Sequence, residues 1–215
     1  MFCQGEAALA DQREMRIPIY EDYGADKTTT KLSGLVSHLL ATVPAEYLRG
    51  LHHVTLTSFW GGNREVRKRA HRSRGRKVRA GRASGLYTPR QSGSEACIVL
   101  YVDILLKQMH TWWSWLRPVR EIIVGQTLFH ELGHHVHHTI GREYREKEDV
   151  ADEWCYALLF HHIQRVHPLV WRVLKHGAPL YLKLRGKKRK QKFRSARVRA
   201  FLKTELGWKE KTGQG

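Results

Sequence analysis

His130, Glu131 and His134 form a His-Glu-x-x-His run within a stretch whose apolar residues recur at helical spacing. On a helix of 3.6 residues per turn, positions i and i+4 stack on one face, so both imidazoles can hold the same metal ion. Glu131 lies beside that face, where it can take a proton from a water held at the metal. Zinc in a catalytic site takes three protein donors and keeps a fourth position open. The chain should therefore supply one more ligand nearby.

A second helix is expected over about residues 145–162, where Val150, Trp154, Leu158 and Ala151, Cys155, Leu159 recur at i, i+4 and i+8. Glu148, Ala151, Asp152 and Cys155 share one of its faces. The small Ala151 would let this helix approach the first closely and bring Glu148 to the metal. Asp152, one turn on, would accept the free N–H of a ligand histidine and fix its tautomer. Glu143, Glu146 and Asp149 are rival third ligands.

The first helix should be buried. Residues 122–129 carry no charge, and Val124, Leu128, Leu132 and Phe129, Val136, Ile140 fall at helical spacings. Two histidines and a glutamate in the middle of such a helix need a partner, and a metal is an economical one. The competing reading is a solvated, His-rich face. His134, His135, His137 and His138 are nearly consecutive, and the chain holds 14 histidines in 215 residues.

His130-Glu131-Leu132-Gly133-His134 followed by Glu148-Asp149-Val150-Ala151-Asp152 resembles the gluzincin zinc metallopeptidases, most nearly the small minigluzincins and the ImmA/IrrE-like group. The resemblance implies one zinc ion per chain, with His130, His134 and Glu148 as ligands, Glu131 as general base and Asp152 as the supporting acid. It also implies a small α+β, zincin-like domain, with a short, mostly antiparallel sheet packed on the His-Glu-x-x-His helix and the glutamate helix. A helix over 32–43, stopped by Pro44, strands over 51–57, 83–89 and 96–102, and then the two helices fit that order. In that family the strand preceding the active helix borders the cleft. Ile98, Val99, Leu100, Tyr101 and Val102 thus become a candidate peptide-binding edge, with an ordinary core strand as the other reading. The metzincin pattern does not fit, because Val136 and Ile140 stand where it needs glycine and histidine. Only 13 residues separate His134 from Glu148, which is short for the wider family and demands a tight connection.

Hydrolysis also needs a donor for the charge that builds on the attacked carbonyl oxygen, and Tyr144, Tyr156 and His162 are the nearby candidates. Trp112, Trp113 and Trp115 offer either a hydrophobic substrate shelf or, the better reading, packing against the helix pair.

The formal net charge is +18, and it is concentrated. Residues 64–82 carry ten basic residues and one acid, and residues 183–203 carry eleven and none, leaving seventeen basic and nineteen acidic residues elsewhere. The first block reads as a loop or hairpin insertion, the second as part of a basic, partly helical tail. Such segments release counterions on meeting polyphosphate and favour nucleic acid without sequence choice. The expected organisation is an N-terminal extension over 1–29, the metallopeptidase domain over 30–165 and the tail over 166–215.

Cys3, Cys97 and Cys155 are odd in number and widely spaced, which argues against a disulfide framework and for a reducing, cytoplasmic setting. No signal peptide or membrane span is evident in the sequence. The expected activity is hydrolysis of peptide bonds in an intracellular protein substrate. The competing function is a nucleic-acid-associated protein whose metal site is structural or vestigial.

Overall fold

Burial alternates along residues 96–100, and that alternation decides which side of the sheet the helices cover. The computed structural model describes residues 17–22, 30–59, 70–73, 76–79, 84–90, 94–109, 115–140, 147–173, 193 and 195–207. Its main sheet contains β1 (Ile19–Asp22), β2 (Leu51–Thr57), β5 (Gly85–Thr88) and β6 (Ala96–Tyr101), in the order β1-β2-β6-β5. Val54 and Leu56 of β2 and Ile98 and Leu100 of β6 are fully buried in the main core with the helices. Tyr101 and Phe59 form a small second cluster with Leu86, Val99 and Ile104, as period-2 side chains on the opposite face would.

The sheet is mixed, which corrects the mostly antiparallel expectation. β1 and β6 both run parallel to β2, and only β5 is antiparallel to its neighbour β6. Parallel neighbours need a long connection. Residues 58–95 provide it between β2 and β6, and within them β3 (Ala70–Ser73) and β4 (Arg76–Arg79) pair as a separate antiparallel hairpin. The basic block over 64–82 therefore includes a hairpin.

Among the described residues up to 166, the helices are α1 (Thr30–Leu40), α2 (Ala45–Leu48), α3 (Val102–Gln108), α4 (Arg117–Thr139) and α5 (Lys147–Val166). A helical stretch covers residues 168–173, and α6 (Ala196–Leu206) follows. Pro118 lies in the first turn of α4, where its missing N–H costs nothing. Val124, Leu128, Phe129, Leu132 and Val136 of α4 are buried as their spacing requires, whereas Ile140 lies past the helix end and is exposed. Val150, Ala151, Trp154, Cys155, Leu158 and Leu159 of α5 are all buried.

The packed unit extends on both sides of 30–165. β1 comes from the expected N-terminal extension, and α6 comes from the expected tail. Ser195 caps α6 by accepting from Val198 N, and its own N–H donates to Glu153 Oε2 of α5 at 2.8 Å. Gly207 ends the helix at φ +58°, a left-handed position that glycine takes without strain. Val198, Phe201 and Leu202 are buried in the main core, with Phe201 against Tyr47 and Trp154. Apolar spacing in that basic stretch thus marks a core helix.

Candidate metal centre

Helices α4 and α5 touch through their smallest residues. A Cβ built on Gly133 would stand 2.7 Å from the carbonyl oxygen and 2.8 Å from Cα of Ala151. Ala151 was expected to allow this approach; Gly133, inside the motif itself, is the other half of it.

That approach brings His130, His134 and Glu148 together, with one ligand atom from each lying within 4.8 Å of the others. His130 Nε2 is 3.4 Å from Glu148 Oε2, and His134 Nε2 is 3.8 Å from Glu148 Oε1. Zinc at about 2.0–2.1 Å from each tetrahedral donor spaces the donors about 3.3–3.4 Å apart. The three residues fit a metal of that size. The other nitrogen of His130, Nδ1, lies 3.1 Å from Asp152 Oδ1, which leaves Nε2 turned to the donor group. Of the rival ligands, Asp149 does not join this group, and Glu143 and Glu146 lie outside the described residues.

Glu131 is buried beside the histidines, 9% exposed, and its Oε2 accepts the backbone N–H of Tyr87 at 2.8 Å. Burial pushes its carboxyl up to about 7, with the His130 charge and the Tyr87 N–H partly opposing the rise. A glutamate poised there can take up a proton and give it back near neutral pH. Burial alone would lower the His130 ring, but its bonds to Asp152 and Glu148 outweigh that and hold it up at about 10. His134 is pushed down to about 4, by burial first and then by the neighbouring His130 charge. Without metal, the pair carries its proton on His130.

β5 reaches the helix because Gly85 has no side chain. A Cβ there would come within 2.8 Å of Thr127 Cγ2 and 2.9 Å of Glu131 Cγ. Ser84 Oγ and Thr127 Oγ1, 2.8 Å apart, tie the start of the strand to α4. Sequence reasoning found this strand and missed its contact with Glu131. The glycine was the available signal.

The candidate peptide-binding edge is corrected. Ile98, Val99, Leu100 and Tyr101 lie on β6, which pairs with β2 on one side and β5 on the other, so its backbone groups are already used. Val102 begins α3. Among the described residues, the edge next to Glu131 belongs to β5, where the Tyr87 N–H donates to Glu131 Oε2.

His162 is also placed elsewhere. It is fully buried, with Nδ1 at 3.0 Å from Thr42 Oγ1 and Nε2 at 3.1 Å from Glu121 Oε2, so neither nitrogen is free for a substrate at His130. Tyr156 is half-buried on α5 with its ring against Phe160, and Tyr144 lies outside the described residues. Burial, then the Asp152 charge, raises the Tyr156 hydroxyl, keeping it a neutral donor. Trp115 is 72% exposed and does not pack against the helix pair; Trp112 and Trp113 lie outside the described residues.

The histidine run is not a solvated face. His135 is fully buried and His137 is buried. His135 donates from Nε2 to the Arg49 carbonyl at 3.1 Å and accepts the Tyr87 hydroxyl at Nδ1 at 3.2 Å. Cys155 donates its thiol to Gln126 O, and burial raises that thiol to about 12, a core role rather than a ligand's. Among the described residues, no helix is long and apolar enough to cross a membrane. Comparison with protein-family models, curated proteins and solved structures finds no match, so the resemblance to gluzincins rests on motif residues and their geometry.

Proposed function

We propose that this chain is a zinc-dependent metallopeptidase that hydrolyses peptide bonds of a protein substrate. The observation that carries the reading is the meeting of His130, His134 and Glu148 donors within 4.8 Å, beside a buried Glu131. A zinc ion held by those three residues supplies a Lewis acid that acidifies water and polarises a carbonyl. Glu131 takes the proton of the attacking water and passes it to the leaving amine. Asp152 holds the His130 ring in the orientation that presents Nε2. An extended substrate laid along β5 gains backbone hydrogen bonds beside Glu131, and Tyr156 is the candidate donor to the developing oxyanion.

Glu131→Gln is the test. It keeps the size of the side chain and its acceptor for Tyr87 N–H, so fold and bound zinc are retained while cleavage of a quenched-fluorescent peptide library disappears. Undiminished cleavage by the variant would sink the assignment.

The β3–β4 hairpin favours a second, compatible reading. It gathers Arg72, Arg76, Lys77 and Arg79 on two paired strands outside the main sheet, an arrangement suited to a phosphate backbone. Duplex binding unaffected by Glu131→Gln, in a chain that cleaves no peptide, would favour this reading alone.

A further inference from the structure

Nine residues before His130 on the same helix, a second group of metal donors converges on one carboxylate. Glu121 is fully buried, roughly 13 Å from His130 along the axis of α4. His162 of α5 places Nε2 3.1 Å from Glu121 Oε2, and His167, just past the end of α5, places its Nε2 on the same oxygen. His38 of α1 holds Nε2 3.7 Å from Glu121 Oε1; that nitrogen is buried and makes no hydrogen bond. The donors of His38, Glu121 and His162 all lie within 4.8 Å of one another.

Proton bookkeeping sharpens the point. Thr42 has one hydroxyl proton and donates it to Leu39 O at 2.8 Å. Its contact with His162 Nδ1, at 3.0 Å, must therefore use an N–H on Nδ1 as donor. A neutral His162 then carries its lone pair on Nε2, facing the lone pairs of Glu121 Oε2. Two acceptors meet there, and a proton, on the ring or on the carboxyl, or a metal ion must join them. A ligating histidine donates its other ring N–H to a fixed oxygen that sets the tautomer, and the Thr42 hydroxyl, held by Leu39 O, can serve as that oxygen.

The spacings agree with the metal. Donors on a tetrahedron of zinc size lie about 3.3–3.4 Å apart, and the contacts of Glu121 with His162 and His38 are 3.1 and 3.7 Å. The contacts in the His130 group are 3.4 and 3.8 Å. Arg117 Nε donates to Glu121 Oε1 at 2.8 Å, so of the two oxygens Oε2, which faces His162, is the one to hold an ion.

We propose that His38, Glu121 and His162 form a second, structural site for a divalent transition metal of the zinc type. Two imidazoles and one carboxylate suit such an ion better than magnesium or calcium, which prefer all-oxygen shells. Glu121 and His162 are fully buried between the helices, which suits an ion that braces the fold rather than one that meets substrate. The site joins α1, the start of α4 and the end of α5, while the His130 group joins the middle of α4 to the start of α5. Two ions thus hold the antiparallel helix pair at two levels. The inference does not depend on the peptidase reading.

Metal content of the purified full-length protein, measured by mass spectrometry of all first-row metals, tests it. Wild type should hold about two ions per chain, and His38→Ala and His130→Ala about one each. His38 sits on the part-exposed rim of α1, so its truncation should leave a folded chain, checked by near-ultraviolet dichroism. His162→Gln gives an independent second variant and should also lose one ion. Cobalt titration should report two sites in wild type and one in either variant. Folded His38→Ala and His162→Gln proteins that keep the wild-type metal content would overturn the proposal. So would a wild type holding a single ion that His130→Ala removes, since Glu121 would then pair only with protonated histidines. A single ion lost in His38→Ala but kept in His130→Ala would support this site and remove the basis of the peptidase reading.

Discussion

Gly133 and Ala151 bring the backbones of α4 and α5 into contact, with only 2.7 Å between the Ala151 carbonyl oxygen and the place where a Gly133 Cβ would stand. The neighbour is backbone, so it cannot rotate aside as a side chain would. His130 and His134 lie on one side of this contact and Glu148 three residues before Ala151, so the spacing of the donor group is set by the absence of one methyl.

Gly133→Ala should therefore act on stability and metal together. Overpacking of this kind costs about 1–3 kcal/mol, and the helices that separate carry the ligands with them. A lowered melting temperature with weakened zinc retention is expected. An unchanged melting temperature would mean that the helices do not meet at this point.

Asp152 should tune the site without holding the fold. Its contact with His130 Nδ1 is 3.1 Å, and its side chain is 46% exposed. Removing such an outer partner typically weakens metal binding 10–100-fold. Asp152→Ala should show that loss in a competition titration against a chromophoric chelator, with the near-ultraviolet dichroism of the folded metal-free protein unchanged. Wild-type affinity in the variant would assign Asp152 to the surface.

Metal uptake must displace a proton. His130 is held up at about 10 and His134 down at about 4, so the metal-free pair carries one proton at neutral pH. Protons compete with the metal, and apparent affinity should rise about tenfold per pH unit between pH 6 and 8. Stability of the metal-free protein should move the other way. A pKa raised on folding contributes stability that is complete below the unfolded value and lost as pH rises through the folded one. For His130 that window runs from 6.5 to about 10, and for Glu131 from 4.5 to about 7. His134, His135, His161 and His162 are lowered from 6.5 on folding and contribute the opposite slope around that pH, so the fall should be read in melting of chelator-treated protein between pH 8 and 10. A flat affinity profile would mean that His130 is not held by its two carboxylates.

Much of the donor group was legible because a helix period of 3.6 converts spacing into a shared face. His130, His134, Glu148 and Asp152 could be placed on facing surfaces from their positions alone, and the apolar repeats of both helices are buried as read except at Ile140. Strand neighbours carry no such local code. Nothing within residues 96–102 states that β2 and β5 occupy both sides of β6, so the edge was assigned to the wrong strand. Buried polar clusters are equally long-range: Thr42 and His162 meet across 120 positions. His162 read as a catalytic donor because its proximity in sequence to the glutamate helix concealed its distance along it. α6 was hidden differently, its three core residues lying among so many lysines and arginines that net charge dominated the pattern.

Neutralising the hairpin should isolate the electrostatic contribution. Each phosphate contact adds close to one unit to the slope of log affinity against log salt. A chain with Arg72, Arg76, Lys77 and Arg79 changed to glutamine should bind duplex DNA with a shallower slope and keep its metal. An unchanged slope would leave the hairpin without a role in polyanion binding.

The backbone N–H of Tyr87 should set the proton affinity of Glu131. It donates at 2.8 Å to the carboxylate and so favours the charged form, against a burial that pushes the group up to about 7. Tyr87→Pro removes this donor, and on the outward side of an edge strand proline takes no bond from the sheet. The carboxyl should then titrate at higher pH, leaving less base below neutrality and moving the acid limb of peptide cleavage upward. Tyr87→Phe is the control, because it loses only the hydroxyl bond to His135 and keeps the N–H. Carbon-13 spectra of labelled glutamate in the metal-free protein can follow Glu131 directly, so the shift is readable even without a substrate. A Glu131 titration that moves equally in both variants would assign the effect to the lost hydroxyl bond to His135, and one that moves in neither would mean that burial alone governs the base.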